Sequence, residues 1–334
     1  MLFLGFCLLS LVLADVSVIV ARENNLKPVM LLGASSLYNY NPSFVANFLF
    51  VRCQNLTRHA KSQFDTGPST IVLFKRVATF AFARSVEVLA AHDATDNFGV
   101  EDPRVVLHNG TFFLLYSAVE QNSTAVTSRL SLATSQQPQT PGSWVRHGPL
   151  FPMWSKSGAL VVRPQPLPQM LIFGDSSLVP GMQWALAPSL FGPWTIQPGL
   201  FMSVRANKFD SALIEAGPAP VLLASGNLFF VYNSARKIGP TVKPGYDFEY
   251  NCGWAILNGS DPSQVLQRGD EPLLSPATDW EFGNGTKKGE NLDLTPNVVF
   301  CEGIEVLQIN QFRVFYGAAD AVIGAFLVYV KETN

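Results

Sequence analysis

The chain has 334 residues, with 23 Lys and Arg against 25 Asp and Glu, so only 14% are charged, where ordinary soluble domains carry roughly 25%. Apolar residues make up 48% and Phe alone fills 25 positions, which excludes intrinsic disorder. A formal charge of −2 excludes the basic stripe of a nucleic-acid binder, and 25 Gly with 23 Pro favour many short elements over long helices.

At the N-terminus, Leu2 to Leu13 is apolar apart from Gly5 and Ser10, and it ends in Val12-Leu13-Ala14. It is shorter than the roughly 20 residues a membrane span needs. It reads as the apolar region and cleavage site of a secretory signal peptide over residues 1–14, with an uncleaved anchor as the alternative. No later stretch is long and apolar enough to span, so no membrane segment is expected after signal removal. Five glycosylation sequons begin at Asn55, Asn109, Asn122, Asn258 and Asn284, in keeping with a secreted or lumenal protein. Cys7 would leave with the signal; Cys53, Cys252 and Cys301 remain, allowing at most one disulfide and one free thiol. The four His are scattered and no Cys/His spacing suggests a metal, so neither metal nor cofactor is expected.

Five aromatic-rich runs recur at intervals of roughly sixty to eighty residues. They are Asn47–Arg52, Thr111–Ser117, Met170–Gly174, Asn227–Asn233 and Gln311–Gly317. A second run follows each, at Ile71–Phe74, Leu130–Thr134, Trp184–Ala187, Gly253–Leu257 and Gly324–Val330. Both sets are rich in β-branched and aromatic residues and are bounded by Gly, Pro, Asn or Ser, as strands are. Strand pairs repeated five times predict an all-β fold, a five-bladed β-propeller over residues 15–334 as a single domain. A pair of β-sandwiches is the alternative.

In a propeller, functional groups from several blades converge on the axis. The sharpest polar cluster is Gly99-Val-Glu-Asp-Pro-Arg104, where Glu101 and Asp102 stand beside an Arg and are pinned by a proline. Such an acid can be tuned in charge and orientation, although Asp-Pro is also a common turn starter. Asn41 and Arg52 flank the first aromatic run and are placed to reach the axis. Glu215 precedes the fourth run, and Glu249 and Tyr250 precede its partner strand. Trp154, Trp184 and Tyr250 are candidates for stacking on a sugar face.

These residues carry a resemblance. Gly99–Arg104, Ala216-Gly-Pro-Ala-Pro220, Asp261–Val265, Asp270–Leu274, Pro296–Phe300 and Phe315-Tyr-Gly-Ala-Ala-Asp320-Ala-Val-Ile-Gly324 resemble glycoside hydrolase family 130, five-bladed propellers acting on β-mannosides as phosphorylases or hydrolases. The resemblance runs in order from about Asn41 to Gly324. It implies an inverting displacement, with Asp102 as proton donor and a mannose-containing glycan as substrate. Asn41, Arg52, Arg104 and Lys156 would contact sugar or phosphate, Asn233 would be a further substrate contact, and Asp320 would stand at the pocket rim. The chain also departs from the pattern. Leu213 occupies the place of a phosphorylase Lys, Tyr232-Asn233-Ser234 stands for Tyr-His-Gly, and a third basic residue is replaced near Gly174-Asp175. A phosphate dianion needs several cations, so hydrolysis is the expected reaction, with Glu215 ahead of Glu249 as the base for water. The alternatives are a catalytically degenerate glycan-binding propeller and a phosphorylase with a rearranged anion site.

Overall fold

The computed structural model describes residues 16–33, 37–55, 67–175, 179–239, 247–283 and 295–333. The expected signal peptide and Asn284 lie outside these residues. In chain order, β1 (Val16–Arg22) comes first and pairs at the far end of the chain. The first sheet holds β2 (Met30–Leu32), β3 (Leu37–Val45), β4 (Phe48–Asn55), β5 (Thr70–Ala78) and β6 (Ala81–Leu89). The second holds β7 (Gly99–His108), β8 (Thr111–Gln121), β9 (Val126–Ser135) and β10 (Val145–Pro149). The third holds β11 (Ala159–Val161), β12 (Gln169–Phe173), β13 (Gly181–Ala187), β14 (Thr195–Ile196) and β15 (Met202–Ser203). The fourth holds β16 (Leu213–Ala216), β17 (Val221–Leu222), β18 (Leu228–Lys237), β19 (Phe248–Leu257) and β20 (Val265–Arg268). A one-turn helix, α1 (Asp279–Phe282), precedes β21 (Val299–Gln308), β22 (Gln311–Ala318) and β23 (Val322–Glu332).

Each sheet is one blade, and together the five sheets form the expected five-bladed propeller. The hydrogen-bonded orders β3-β4-β5-β6-β2, β7-β8-β9-β10, β11-β12-β13-β14, β16-β18-β19-β20 and β21-β22-β23-β1 place β3, β7, β11, β16 and β21 innermost. The five aromatic runs of the sequence are the second strands β4, β8, β12, β18 and β22, and the runs that follow are the third strands. In the last blade β1 supplies the outer strand, from Val16 opposite Glu332 to Arg22 opposite Phe326. The ring is thus closed by pairing the start of the described chain with its end. Arg313 reinforces the closure, donating from Nη2 to Glu23 Oε1 at 2.9 Å and from Nη1 to Glu305 Oε2 at 2.9 Å.

The abundance of Phe follows from this arrangement. Every blade is covered on both faces, so both alternating sets of a strand are buried and the strand reads as a continuous apolar run. In β4, Leu49, Val51 and Cys53 pack with Phe315 of the fifth blade. Phe50 turns the other way, onto Phe112 and Leu114 of the second. Likewise Phe229 and Val231 of β18 face the fifth blade, and Phe230 and Tyr232 face the third. Trp184 packs against this last cluster and so belongs to the core, away from any sugar.

Of the three cysteines, Cys252 of β19 and Cys301 of β21 form a disulfide between the fourth and fifth blades, and Cys53 is a buried free thiol. The cross-link closes a separation of 49 residues, worth up to about 4 kcal/mol in the chain-entropy picture. Cys252→Ser is expected to lower unfolding free energy by about 2–4 kcal/mol in denaturant titration. A loss below about 0.5 kcal/mol would exclude this contribution. Of the sequons, Asn55, Asn109 and Asn122 are exposed and Asn258 is half-buried. Among the described residues no helix is long and apolar enough to cross a membrane.

Candidate active site on the propeller axis

The innermost strands do not run regularly past the axis. The β3–β4 register shifts between Tyr40 and Pro42, leaving Asn41 bulged out at φ 49°. The β7–β8 register shifts between Glu101 and Arg104, with Asp102 at φ 52°. A third shift, between Cys301 and Gly303 of β21, singles out Glu302. Bulges re-aim side chains, and Asn and Asp tolerate the left-handed region better than other non-glycine residues. Both bulges precede a proline, which lacks the N–H a regular ladder would use. Gly317, in the Tyr-Gly-Ala-Ala-Asp run, lies so close that a Cβ there would overlap the Asn41 side chain and approach its backbone N to 2.6 Å. This close approach accounts for the glycine in that motif.

The result is a buried charge cluster. Asp102 accepts 2.9 Å hydrogen bonds at Oδ1 from Asn41 Nδ2 and from Arg52 Nη1. The same guanidinium reaches Glu101 Oε1 at 2.5 Å from Nη2. Arg104 donates to the main-chain carbonyls of Asp102 (2.9 Å) and Ala216 (3.0 Å), and its Nη2 lies 3.0 Å from Glu302 Oε1. On β16, Glu215 accepts a short hydrogen bond from Ser157, itself at φ 53° before β11. Asp320 accepts from Thr295 Oγ1 at 2.5 Å. Trp154 Nε1 donates to Asp175 Oδ2 at 3.4 Å. Lys156 is half-buried, and among the described residues no hydrogen bond or ion pair holds its ammonium.

The electrostatics separate these carboxyls. Burial opposes the charge on Asp102, yet Arg52, Lys156, Arg104 and the Asn41 amide together hold it down at about 2. Burial pushes Glu215 up to about 7, against the pull of Lys156 and with Asp175 adding to the rise. Burial also raises Glu302 well above the carboxylate range, and it raises Glu101 and Asp320. It disfavours the Lys156 charge, but Asp102, Glu101, Glu215 and Asp175 outweigh it and raise the ammonium above its ordinary value. Burial, with Glu215 and Asp320 adding to it, lifts the Tyr250 phenol to about 12. Among the described residues three cations, Arg52, Arg104 and Lys156, thus serve six carboxyls: Glu101, Asp102, Asp175, Glu215, Glu302 and Asp320.

The fold therefore brings together Asn41, Arg52, Glu101, Asp102, Arg104, Lys156, Glu215, Tyr250 and Asp320. Two expected members are elsewhere. Glu249 is paired across the β18–β19 ladder with Arg236, 2.8 Å away, and plays no part in the cluster. Asn233 is fully buried and clamps β18 to β21, donating to Cys301 O at 3.0 Å and accepting from Cys301 N at 2.6 Å. Its amide is spent on backbone, which corrects its assignment as a sugar contact. Arg104 lies 3% exposed and bonded to main chain, so it braces the site from beneath instead of presenting its charge to a ligand. Sequence reasoning missed Glu302 and Ser157. The charge inside the apolar stretch Val298-Val-Phe-Cys-Glu-Gly303 was the available signal for Glu302.

The profile of the β-1,4-mannooligosaccharide phosphorylases matches residues 35–333. The chain belongs to glycoside hydrolase family 130. A 1,2-β-oligomannan phosphorylase from a Thermoanaerobacter species is 27% identical over 234 residues, covering 70% of this chain and 69% of the relative. A β-1,2-mannobiose phosphorylase from the same organism is 27% identical over 248 residues, covering 74% and 72%. Among solved structures, one described with glycoside hydrolases that target β-1,2 mannosidic linkages in Candida mannan superposes with TM-score 0.73 at 20% identity, covering 92% of this chain and 93% of that one. The β-1,2-mannobiose phosphorylase of Listeria innocua gives TM-score 0.69 at 18% identity, covering 92% and 96%. At these identities the structural likenesses carry the propeller fold alone.

Proposed function

We propose that the chain is a β-mannoside hydrolase that inverts the anomeric centre, with Asp102 as proton donor and Glu215 as base for water. The observation that carries this reading is Glu215. It is a second carboxyl in the shaft, 5% exposed and pushed up to about 7, on a different blade from Asp102. Inverting cleavage of a glycosidic bond uses two carboxyls, one to protonate the leaving oxygen and one to activate water on the opposite face. Water attacks the anomeric carbon as the C–O bond to the leaving sugar breaks. Asp102 gives its proton to the leaving oxygen and Glu215 takes one from the water. The products are the inverted mannose and the free alcohol, leaving Asp102 ionised and Glu215 protonated. This is also the arrangement of the unliganded shaft at mildly acidic pH, so each turnover must return a proton to Asp102. A bound sugar that excludes water around Asp102 strengthens the burial effect and works in that direction.

The state of the cations supports water over phosphate, because a dianion needs several cations turned toward it, whereas Arg52 is engaged by Glu101 and Asp102 and Arg104 by main-chain carbonyls. Phosphorolysis is the second reading. Its support is the ammonium of Lys156, unpaired among the described residues, and the phosphorylase relatives. The two separate on incubation with β-1,2- and β-1,4-mannosides, with and without phosphate. Rates unchanged by phosphate and release of free mannose are expected. Product appearing only with phosphate, as a mannose 1-phosphate, would establish phosphorolysis. No turnover with retained glycan binding would establish a binding propeller.

We further propose a secretory route for the protein, on the apolar segment Leu2–Leu13 and the sequons. Its mark would be a mature N-terminus following Ala14.

A further inference from the structure

The acid–base pair proposed above does not use Glu302, a fully buried carboxyl at the axis. It occupies the third of the bulges that aim Asn41 and Asp102 inward, so the fold delivers it to the same ring of groups. Neither of its oxygens makes a hydrogen bond of good geometry, and its ion-pair partner is Arg104, whose Nη2 lies 3.0 Å from Oε1. Through that guanidinium it faces both halves of the pair. Arg104 holds the carbonyl of Asp102 itself on the second blade and that of Ala216, next to Glu215, on the fourth. An Arg buried to this extent cannot be left without a polar counterpart on one side.

We infer that Glu302 is a positioning residue, which fixes Arg104 as a brace across three blades and so sets the placement of Asp102 relative to Glu215. The inference rests on the proposed pair, and it makes no claim that Glu302 meets the sugar. Burial raises this carboxyl, and its Oε1 stands 3.0 Å from Arg104 Nη2 as the polar counterpart of that guanidinium, a part glutamine can play and leucine cannot.

Three variants test it in the full-length protein: Glu302→Gln, Glu302→Leu and Glu302→Leu in an Arg104→Met background. With a turned-over mannoside, Glu302→Gln is expected to keep kcat within about fivefold. Glu302→Leu should lose at least about thirtyfold in kcat with KM changed less than about threefold. In the Arg104→Met background, Glu302→Leu should cost almost nothing further, because the two act as one unit. A Leu variant with more than half of wild-type kcat overturns the role, as does a Gln variant as impaired as Leu, or additivity in the cycle. If the wild type turns over no mannoside, the hydrolase reading fails while the positioning role is still read directly. Carbon-13 NMR of the labelled carboxyls should then show the Asp102 and Glu215 titrations preserved in Gln and displaced in Leu. Unmoved titrations in Leu, or displacement in Gln equal to that in Leu, overturn it. A shift in melting temperature alone, with resonances unmoved, marks Glu302 as merely structural.

Discussion

Asp102→Asn is expected to lower turnover of a natural β-mannoside by at least about a thousandfold, within the range that general acid catalysis contributes. The amide keeps the shape and an acceptor for Asn41 and Arg52, but it cannot give up a proton to the leaving oxygen. Because fluoride leaves without protonation, the same variant should recover to within about tenfold of wild type on β-mannosyl fluoride. Retention of more than a tenth of the activity on the natural glycoside would mean that another group donates. The fold should survive, because Arg52 still holds Glu101 at 2.5 Å. It should nevertheless be weakened. A carboxyl held at about 2 in the folded chain, against about 3.9 unfolded, contributes on the order of 2 kcal/mol above pH 4, and that contribution is lost as pH falls through about 2. Asp102→Asn removes it, so denaturant titration at pH 7 should show a loss of that order.

Which parts of this molecule were legible in the sequence follows from burial. The second and third strands of each blade are covered on both faces, so β4, β8, β18 and β22 read as unbroken apolar runs and gave away the five-fold repeat. The innermost strands of the third and fourth blades are three and four residues long, too short to stand out. The closing role of β1 depends on a pairing between the two ends of the described chain, which no local pattern records. Within the site, Asp102, Glu101 and Arg104 were visible because charge is scarce and a proline fixes them. Glu215 and Glu249, by contrast, look alike in sequence, each an acid near the start of a strand. Only the register separates them, since it sets Glu249 opposite Arg236 and Glu215 opposite Asn233. Asn233 was misjudged for the same reason, since its partner is the backbone of Cys301, sixty-eight residues away. Glu302 escaped because a Glu in a strand ordinarily marks the solvent face, and the bulge that turns it inward is a property of the β21–β22 pairing.

Glu215→Gln is expected to produce two effects of opposite sign, and together they test the base assignment more sharply than loss of activity would alone. Catalytically, the amide cannot take a proton from water, so kcat should fall by about a hundredfold or more. A loss under about tenfold would exclude Glu215 as the base. The wild type should show kcat/KM steady through mild acid and declining above about pH 7, because the Asp102–Glu215 pair must hold one proton between them and the last one leaves there. Thermodynamically the sign is reversed. A carboxyl raised to about 7 by burial, against about 4.3 unfolded, contributes stability that is fully present below the unfolded value and is lost as pH rises through about 7. The loss across that window is about 3 kcal/mol, or roughly 5 °C for a chain of this size. Glutamine carries no such penalty. The variant should therefore lose less unfolding temperature between pH 5 and pH 8 than the wild type, and it should outlast the wild type at the higher pH. Glu302, Glu101 and Asp320 are raised too, so part of the slope will persist. A variant with the full wild-type slope would show that Glu215 ionises freely in the folded shaft, and an acid that ionises freely is not the group that holds the proton there.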